Sequence, residues 1–401
     1  MAAVANKRLM ILGAGPFQLP AIKKAAELGC HVVTVDNVPG NVGHAFAHQT
    51  VNVSTVDKDG VLRAARDLRI DGICTFSSDV AIPTVAYVCE HLGLPGARPQ
   101  AADTMATKSL FRRFLKKNGF QCPDFVSGDS LDDVADRLGN LRPPVVVKPV
   151  DASGSRGVTR LDTLEYGEFQ TAFHKAQGFS RSHTVCMETF VEGTEVGGDA
   201  ILVEGRVGFI AITHKHMAGF VVTGHSLPTN IPPDAQARLI AHIEELCSAL
   251  DYRSGPLNFD AIVSTDKVTM LEMSARNGGN GIPAVIERST GVDVEKATIF
   301  LALGGTPTLP PSTTRRGAGS FVFGSPTGGR LESISSVAEL KQSIPEVFLA
   351  YITKNIGDRV DSFEHNGNLV GFALFDCVDA DDYERLTERI GHVLHLTVVA
   401  E

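Results

Sequence analysis

Two segments far apart in the chain hold residue types that together suit phosphate chemistry. In the first, the apolar run Val145-Val146-Val147 ends in Lys148, and the small-residue stretch Ser153-Gly154-Ser155-Arg156-Gly157 follows after a short gap. The run has the composition of a buried strand, and a loop of such small residues can turn successive backbone N–H groups inward as an anion-binding nest. In the second, Leu271-Glu272-Met273-Ser274-Ala275-Arg276-Asn277 sets a carboxylate and an arginine on another strand-like stretch. Asp260 lies one hairpin earlier, in Leu257-Asn258-Phe259-Asp260-Ala261-Ile262-Val263. Its apolar flanks would make an unpaired buried charge costly, which favours a ligand-binding role over a merely structural one. Two carboxylates on paired strands are hard oxygen donors of the kind that hold Mg²⁺ between phosphates. The set reads as the two ends of one site for a magnesium–nucleoside triphosphate.

Elements able to position these residues can be traced along the chain. The first 105 residues alternate apolar runs at 8–12, 31–35 and 72–76 with helical patterns at 21–28, 60–68 and 82–92. That rhythm implies a parallel sheet with crossover helices. Gly13-Ala14-Gly15 in the first strand-to-helix turn, with Asp36 ending the second strand, partly matches a dinucleotide fingerprint. Gln18 replaces the third glycine and Pro16 sits inside the turn, so a nicotinamide-dependent oxidoreductase is the weaker reading. The same sheet edge also suits part of a non-nucleotide substrate. A helix capped by Asp103 or Thr104 and closed by Gly119 comes next, with Lys108 off its apolar stripe. Beyond the breaker-rich stretch 304–311, strands at 318–323, 347–353 and 371–377 and a helix over 381–394 indicate an α+β lobe. Three regions follow: an N-terminal α/β domain (1–105), a central domain with the phosphate and metal residues (106–310), and a C-terminal lobe (311–401).

Composition narrows the class. With 401 residues, 43% hydrophobic and 21% charged, the chain can build sizeable cores in more than one domain. A net charge of −9 and the absence of a long basic run argue against a nucleic-acid partner. No stretch approaches the ~20 apolar residues of a membrane helix, and the first apolar run ends at Gly13 without a secretory pattern. Seven scattered cysteines, never spaced C-x-x-C, read as reduced thiols of a cytoplasmic protein.

Taken in order, a helix lysine, a strand lysine, a small-residue loop, an acidic hinge and paired carboxylates resemble the ATP-grasp superfamily over the whole chain. The resemblance implies an α/β ATP-grasp fold with an N-terminal parallel-sheet (pre-ATP-grasp) domain and a small α+β C-terminal lobe. Its cofactors would be ATP and Mg²⁺, with Mn²⁺ as a substitute ion. On this resemblance Lys108 and Lys148 contact the nucleotide phosphates, and Ser153, Gly154, Ser155 and Gly157 close over them. The stretch Met187 to Glu195 matches the hinge: Glu188 and the backbone of Phe190 and Val191 inherit adenine recognition, and Glu195 the ribose contact. Asp260 and Glu272 take the metal positions, and Ser274 stands where the family often has a third, asparagine ligand. Arg276 takes the place of the catalytic arginine, whose planar fork would neutralise an acylphosphate and then a tetrahedral intermediate.

Thr223-Gly224-His225-Ser226-Leu227-Pro228 is similar to a stretch of ATP-grasp L-amino-acid ligases, and His225 matches the histidine that contacts substrate there. Val222 stands where a glutamate is expected, so recognition of an α-ammonium group does not carry over. Asn277, Gly278 and Asn280, in a run tolerant of positive φ, are further substrate candidates. His214 and His216 alternate with Lys215 and can face either the site or solvent. The implied activity is an ADP-forming carboxylate–amine ligase that activates a small carboxylic acid, expected to be an amino acid, as an acylphosphate and couples it to an amine, giving an amide or dipeptide. A one-carbon ligase using bicarbonate or formate is the alternative. A homodimer is the assembly the resemblance implies.

Overall fold

The structure, a computed structural model, describes residues 4–311 and 313–400. Strands β1 (Arg8–Leu12), β2 (His31–Val35), β3 (Gln49–Val51) and β4 (Gly72–Thr75) form a parallel sheet in the order β3-β2-β1-β4. Leu9 and Ile11 pack with Ala21, Ile22 and Ala25 of helix α1 (Leu19–Glu27). Met10 and Leu12 point the other way, into Val61, Leu62 and Ala65 of α2 (Lys58–Leu68) and Val88 of α3 (Ile82–Leu92). Cover on both faces explains why β1 is apolar throughout, since a parallel strand has no solvated side.

Two helices link this sheet to the rest, α4 (Pro99–Ala106) and α5 (Lys108–Lys117). Asp103 and Thr104 therefore do not cap the lysine helix; they lie inside α4, Thr107 is the N-cap of α5, and Lys108 is its first residue. The chain breaks direction at extended Thr107, and this turn brings Lys108 N–H to the carbonyl of Val150 at 2.8 Å.

A four-stranded antiparallel sheet follows, with β5 (Phe125–Gly128), β6 (Val145–Pro149), β7 (Thr159–Leu161) and β8 (Val185–Thr189) in the order β5-β8-β6-β7. Helices α6 (Leu131–Ala135) and α7 (Tyr166–Phe179) belong to this layer. Val145, Val147, Val185 and Met187 pack on Phe169, Phe173 and Ala176 of α7. Because side chains alternate along a strand, Val146, Lys148 and Glu188 are turned to the opposite face.

Facing them is a longer antiparallel sheet. It contains β9 (Thr194–Val203), β10 (Arg206–Ala218), β11 (Val221–Leu227), β12 (Gly255–Val263) and β13 (Val268–Ser274), with α8 (Pro233–Ala249) packed beneath. Helices α9 (Ile282–Thr290) and α10 (Val294–Ala302) return the chain toward the parallel sheet. There Lys24 of α1 meets Asp293 at 2.7 Å and Glu295 at 3.1 Å. The C-terminal part adds β14 (Ala318–Phe323), β15 (Gly329–Ser333), β16 (Val347–Ile352), β17 (Arg359–Val360), β18 (Gly371–Asp376) and β19 (Thr397–Val399), with helices α11 (Val337–Ser343) and α12 (Ala380–Leu394). The long sheet runs β13-β12-β9-β10-β11-β14-β18-β16, so three C-terminal strands extend it through the β11–β14 pair.

That junction is tight. A Cβ on Gly224 of β11 would stand 2.0 Å from the Ser320 carbonyl of β14 and 2.1 Å from the Tyr383 hydroxyl of α12, the hydroxyl that donates to the same carbonyl at 2.8 Å. Gly224→Ala is therefore expected to cost about 3 kcal/mol, read as a lower urea midpoint; an unchanged midpoint would mean the C-terminal strands are not seated this closely.

Candidate active site

A cavity of about 180 Å³ lies between the short antiparallel sheet and the long one. Val146, Met217, Ile262 and Leu271 give it apolar walls, a slot suited to a flat base. Its deep end is charged. Lys148 forms a short ion pair with Glu188, whose other oxygen takes the Nε of Arg112 at 2.8 Å. Arg112 is fully buried on α5 and also donates to the Leu271 carbonyl at 3.0 Å. Burial pushes the Glu188 carboxyl up, but the two cations beside it overcome this and hold it down at about 2. Glu188 thus holds Lys148 in place with both oxygens engaged, a commitment that competes with the adenine contact implied for it. Phe190 and Val191 line the slot, and the Phe190 N–H is engaged by the Pro144 carbonyl at 2.8 Å.

The small-residue loop closes one side. Gly154, Ser155 and Gly157 all have positive φ (+66°, +63° and +68°), a sharply turned backbone that small residues allow. Ser153, Gly154 and Ser155 line the cavity. Gly157 instead packs on α7, where an added Cβ would meet the Phe179 ring at 2.9 Å. Lys108 Nζ donates to the Ala152 carbonyl at 2.8 Å and lies 3.4 Å from Glu272.

Opposite the loop, β12 and β13 pair Asp260 directly with Glu272. Lys215 of β10 bridges Glu195 at 2.6 Å and Asp260 at 2.9 Å. Burial works against the charge on Lys215, but these two carboxylates raise its pKa well above the usual value. This lysine went unrecognised in the sequence, where attention falls on the histidines flanking it. Strand alternation separates them: His214 bonds Asn230 at 3.0 Å, and His216 bonds Ser226 at 2.9 Å and stacks on Tyr383. Neither lines the cavity. His225 shares the lysine's side, its strand partner being Lys215. Gly197 leaves room for this meeting, since a Cβ there would stand 2.7 Å from Asp260 and 3.4 Å from His225. Burial and then the Lys215 charge push the His225 imidazole down to about 3, so it is neutral. Thr213 donates its hydroxyl proton to the Gly197 carbonyl, so His225 Nδ1 donates to Thr213 at 2.9 Å, and Nε2 carries the lone pair.

A second cavity of about 240 Å³ opens beyond this border, sharing Ser153, Lys215, Asp260 and Glu272 with the first. Arg276 forms part of its wall, donating Nε to Asp79 at 2.8 Å and a terminal nitrogen to Asn258 at 2.7 Å. Asp79 follows β4 at the carboxyl edge of the parallel sheet. Its burial disfavours charge, but Arg276, bonds from Ser274 and Arg276, and Lys108 lower its pKa overall. Ser274, the expected third metal ligand, is buried and lines neither cavity. Asn277 and Gly278 also face away from the cavity. Asn277 accepts from Thr298 at 2.7 Å, Gly278 N–H donates to Asp199 at 2.8 Å, and their carbonyls take the N–H and hydroxyl of Ser77. Gly279 and Asn280 do line it, at the entry to α9, so this run is both a substrate-facing loop and a helix start. Phe17 reaches the same cavity from the N-terminal domain and stacks on Phe372 of β18 at 5.2 Å.

The dinucleotide alternative fails at the first turn. Gln18 fills the space a pyrophosphate would need: its Oε1 accepts from Gly15 N–H at 3.0 Å and its amide donates to the Phe76 carbonyl. Asp36 is turned inward to accept from Ala14 N–H at 2.9 Å and from Asn41 at 2.8 Å.

Comparison with known proteins agrees with this geometry. The ATP-grasp domain family matches residues 141–284, and the ATP-grasp N-terminal domain family matches residues 22–96. The chain belongs to the ATP-grasp superfamily. It is 25% identical over 346 residues to carnosine synthase 1 of Homo sapiens, covering 78% of this chain and 41% of that one, so it spans about two-fifths of that relative's length. It is 26% identical over 330 residues to a formate-dependent phosphoribosylglycinamide formyltransferase of Rhodococcus jostii, covering 79% of each. Among solved structures, the L-amino acid ligase from Bacillus licheniformis superposes with a TM-score of 0.84 at 23% identity, covering 98% of this chain and 99% of that one.

Asp199 supplies a pH test of the loop that carries Arg276. Fully buried, it is pushed up to about 6 by desolvation despite bonds from Gly278 N–H and Asn258. The folded protein then keeps this proton at pH values where the unfolded chain has lost it, so the Asp199 contribution to stability falls as pH rises from about 4 to 6. Asp199→Asn is expected to gain on wild type by on the order of 2 kcal/mol between pH 4 and pH 7, measured as a difference of melting curves; a constant difference would contradict the buried-carboxyl assignment.

Proposed function

We propose that the protein is an ADP-forming ligase that phosphorylates the carboxylate of a small acid and passes the acyl group to an amine, giving an amide. The observation that carries this reading is the shared border of the two cavities, where Lys215, Asp260 and Glu272 stand between a base-sized slot and an acid-sized one, with Lys108 beside Glu272 on the slot side. Phosphoryl transfer asks mainly for positioning and charge neutralisation. In this reading Lys148 and Lys108 hold the phosphates, the Ser153–Ser155 loop covers them, Glu195 takes the ribose, and Phe190 and Val191 take the base through their backbone. Asp260 and Glu272 fit Mg²⁺ or Mn²⁺: they are paired oxygen donors open to the cavity, and Mg²⁺ is commonly held by one or two carboxylates together with substrate phosphates and waters. Consistent with that division of ligands, no closed cluster of three or more metal-binding side chains occurs among the described residues. Held by Asp260 and Glu272, such an ion would supply charge neutralisation for the transferred phosphoryl group.

Arg276 presents its face to the acid while Asp79 and Asn258 fix its plane. The neutral Nε2 of His225 suits acceptance of a hydrogen bond from the incoming amine. All seven cysteines are unpaired thiols, in keeping with a reducing compartment such as the cytoplasm, and no helix among the described residues is long and apolar enough to cross a membrane.

The direct test is incubation of the protein with MgATP, pooled amino acids and small carboxylates, reading nucleotides and new masses. ADP with a product equal to an acid plus an amine minus water is the expected result. AMP would contradict acylphosphate chemistry, and ADP formed with formate or bicarbonate alone would move the protein to the one-carbon ligases. Two substitutions separate the roles further. Glu272→Gln and Lys215→Met should each lower kcat by at least about a hundredfold while nucleotide affinity, measured by fluorescence of an ATP analogue, changes little. Unchanged turnover in either variant would remove that residue from the phosphoryl path.

A further inference from the structure

Among the described residues, the acid cavity carries one cation, Arg156, without an ion-pair partner. Each carboxylate on its wall is already matched: Asp79 by Arg276, Asp260 by Lys215, and Glu272 by Lys108. Arg156, at the tip of the small-residue loop, lines both cavities, and among the described residues its hydrogen bond is a long one, 3.5 Å to the Ser153 carbonyl. Its guanidinium end lies on the acid side. A Cβ on Gly367 would stand 2.8 Å from a terminal nitrogen of Arg156 and 3.0 Å from its Nε, and Gly367 borders the acid cavity but not the nucleotide cavity.

The C-terminal segment that ends in Gly367 also fixes the loop. Asn366 N–H donates to the Gly154 carbonyl at 3.0 Å, and its side-chain amide donates to the Val222 carbonyl of β11 at 2.7 Å. Its Oδ1 is buried without a partner among the described residues, leaving a neutral acceptor at the cavity wall. The neighbouring strand residue is Val222, apolar. This wall therefore offers no free carboxylate to a cationic group, and it offers a guanidinium to an anionic one, which such a fork can hold in two bonds.

We propose that Arg156 reads the acid substrate and that the acid activated here bears a second anionic group, as a dicarboxylate does. The proposal rests on the ligase reading of the site. It assigns specificity to a residue of the phosphate-covering loop, and it makes Gly367 the place where the C-terminal part of the chain yields space to that residue.

The test uses the full chain with MgATP and hydroxylamine, which traps any acylphosphate as a hydroxamate and removes dependence on the natural amine. The acids are the dicarboxylates from succinate to pimelate, each with its monocarboxylate and ω-amino counterpart. Wild type should favour a dicarboxylate over both counterparts by about tenfold or more in kcat/KM. Arg156→Glu should lower the ratio of dicarboxylate to ω-amino acid by about a hundredfold with KM for ATP nearly unchanged. Arg156→Gln should lose the preference without reversing it. A wild-type preference for monocarboxylates or ω-amino acids would overturn the proposal while keeping the ligase. So would an Arg156→Glu variant whose KM for ATP rises while the acid ratio stays fixed, since Arg156 would then serve the phosphates. No ADP and no hydroxamate from any acid, with MgATP still raising the melting temperature, would reject the ligase reading and this proposal with it.

Discussion

A guanidinium shut away from water must be matched by a carboxylate or it destabilises the fold, and Arg276 is matched by a residue from another domain. Asp79 comes from the parallel sheet, Arg276 from the end of the long antiparallel sheet, and their pair is buried at 2.6 Å. The surrounding bonds follow from it. Ser77 donates to the carbonyls of Asn277 and Gly278, and Phe76 bridges to Asn277 as one step of a parallel ladder. Docking of the N-terminal domain and orientation of the arginine are therefore one event. The acid cavity exists because of it, since Phe17, Ser77 and Asp79 form one wall and Asn258, Glu272 and Arg276 another.

The same constraint acts at the base slot. Lys148 and Arg112 converge on Glu188 from a strand and a helix, so the short sheet and α5 cannot shift independently without leaving a buried charge exposed to an apolar interior. Burying three charges is expensive in solvation, and the arrangement is sustained by the two-sided pairing and by the carbonyls that receive the remaining Arg112 protons.

Strand and helix positions in the N-terminal sheet were readable because parallel strands covered on both faces are uniformly apolar, as Leu9-Met10-Ile11-Leu12 is. Lys148, Asp260 and Glu272 were readable because a charge in an apolar strand asks for an explanation. Asp79 was not, because it sits in a short serine-containing turn whose composition suits any loop; the available signal was its place at the carboxyl edge of the parallel sheet. Lys215 was obscured by His214 and His216, although a period of two puts the lysine on the opposite face from both. The contributions of Asn366 and Gly367 depend on the fold of a distant segment against β11, which no local pattern encodes.

The site's charges are matched to one another. Lys215 lies between Glu195 and Asp260, and Lys108 beside Glu272, so these two lysines hold the carboxylates proposed for ribose and metal. Loading a nucleotide without its ion would draw the lysines toward phosphate and leave Asp260 and Glu272 facing added negative charge. Loading the ion alone would set it against Lys215 and Lys108 at close range, where little water intervenes to screen like charges. Were both to arrive together, the lysines could turn to phosphate and the carboxylates to the ion, and no group would be left unpaired. The physical reason to expect the nucleotide and its ion to enter as one species is thus the ion pairing among these residues, which matches five charged side chains to one another.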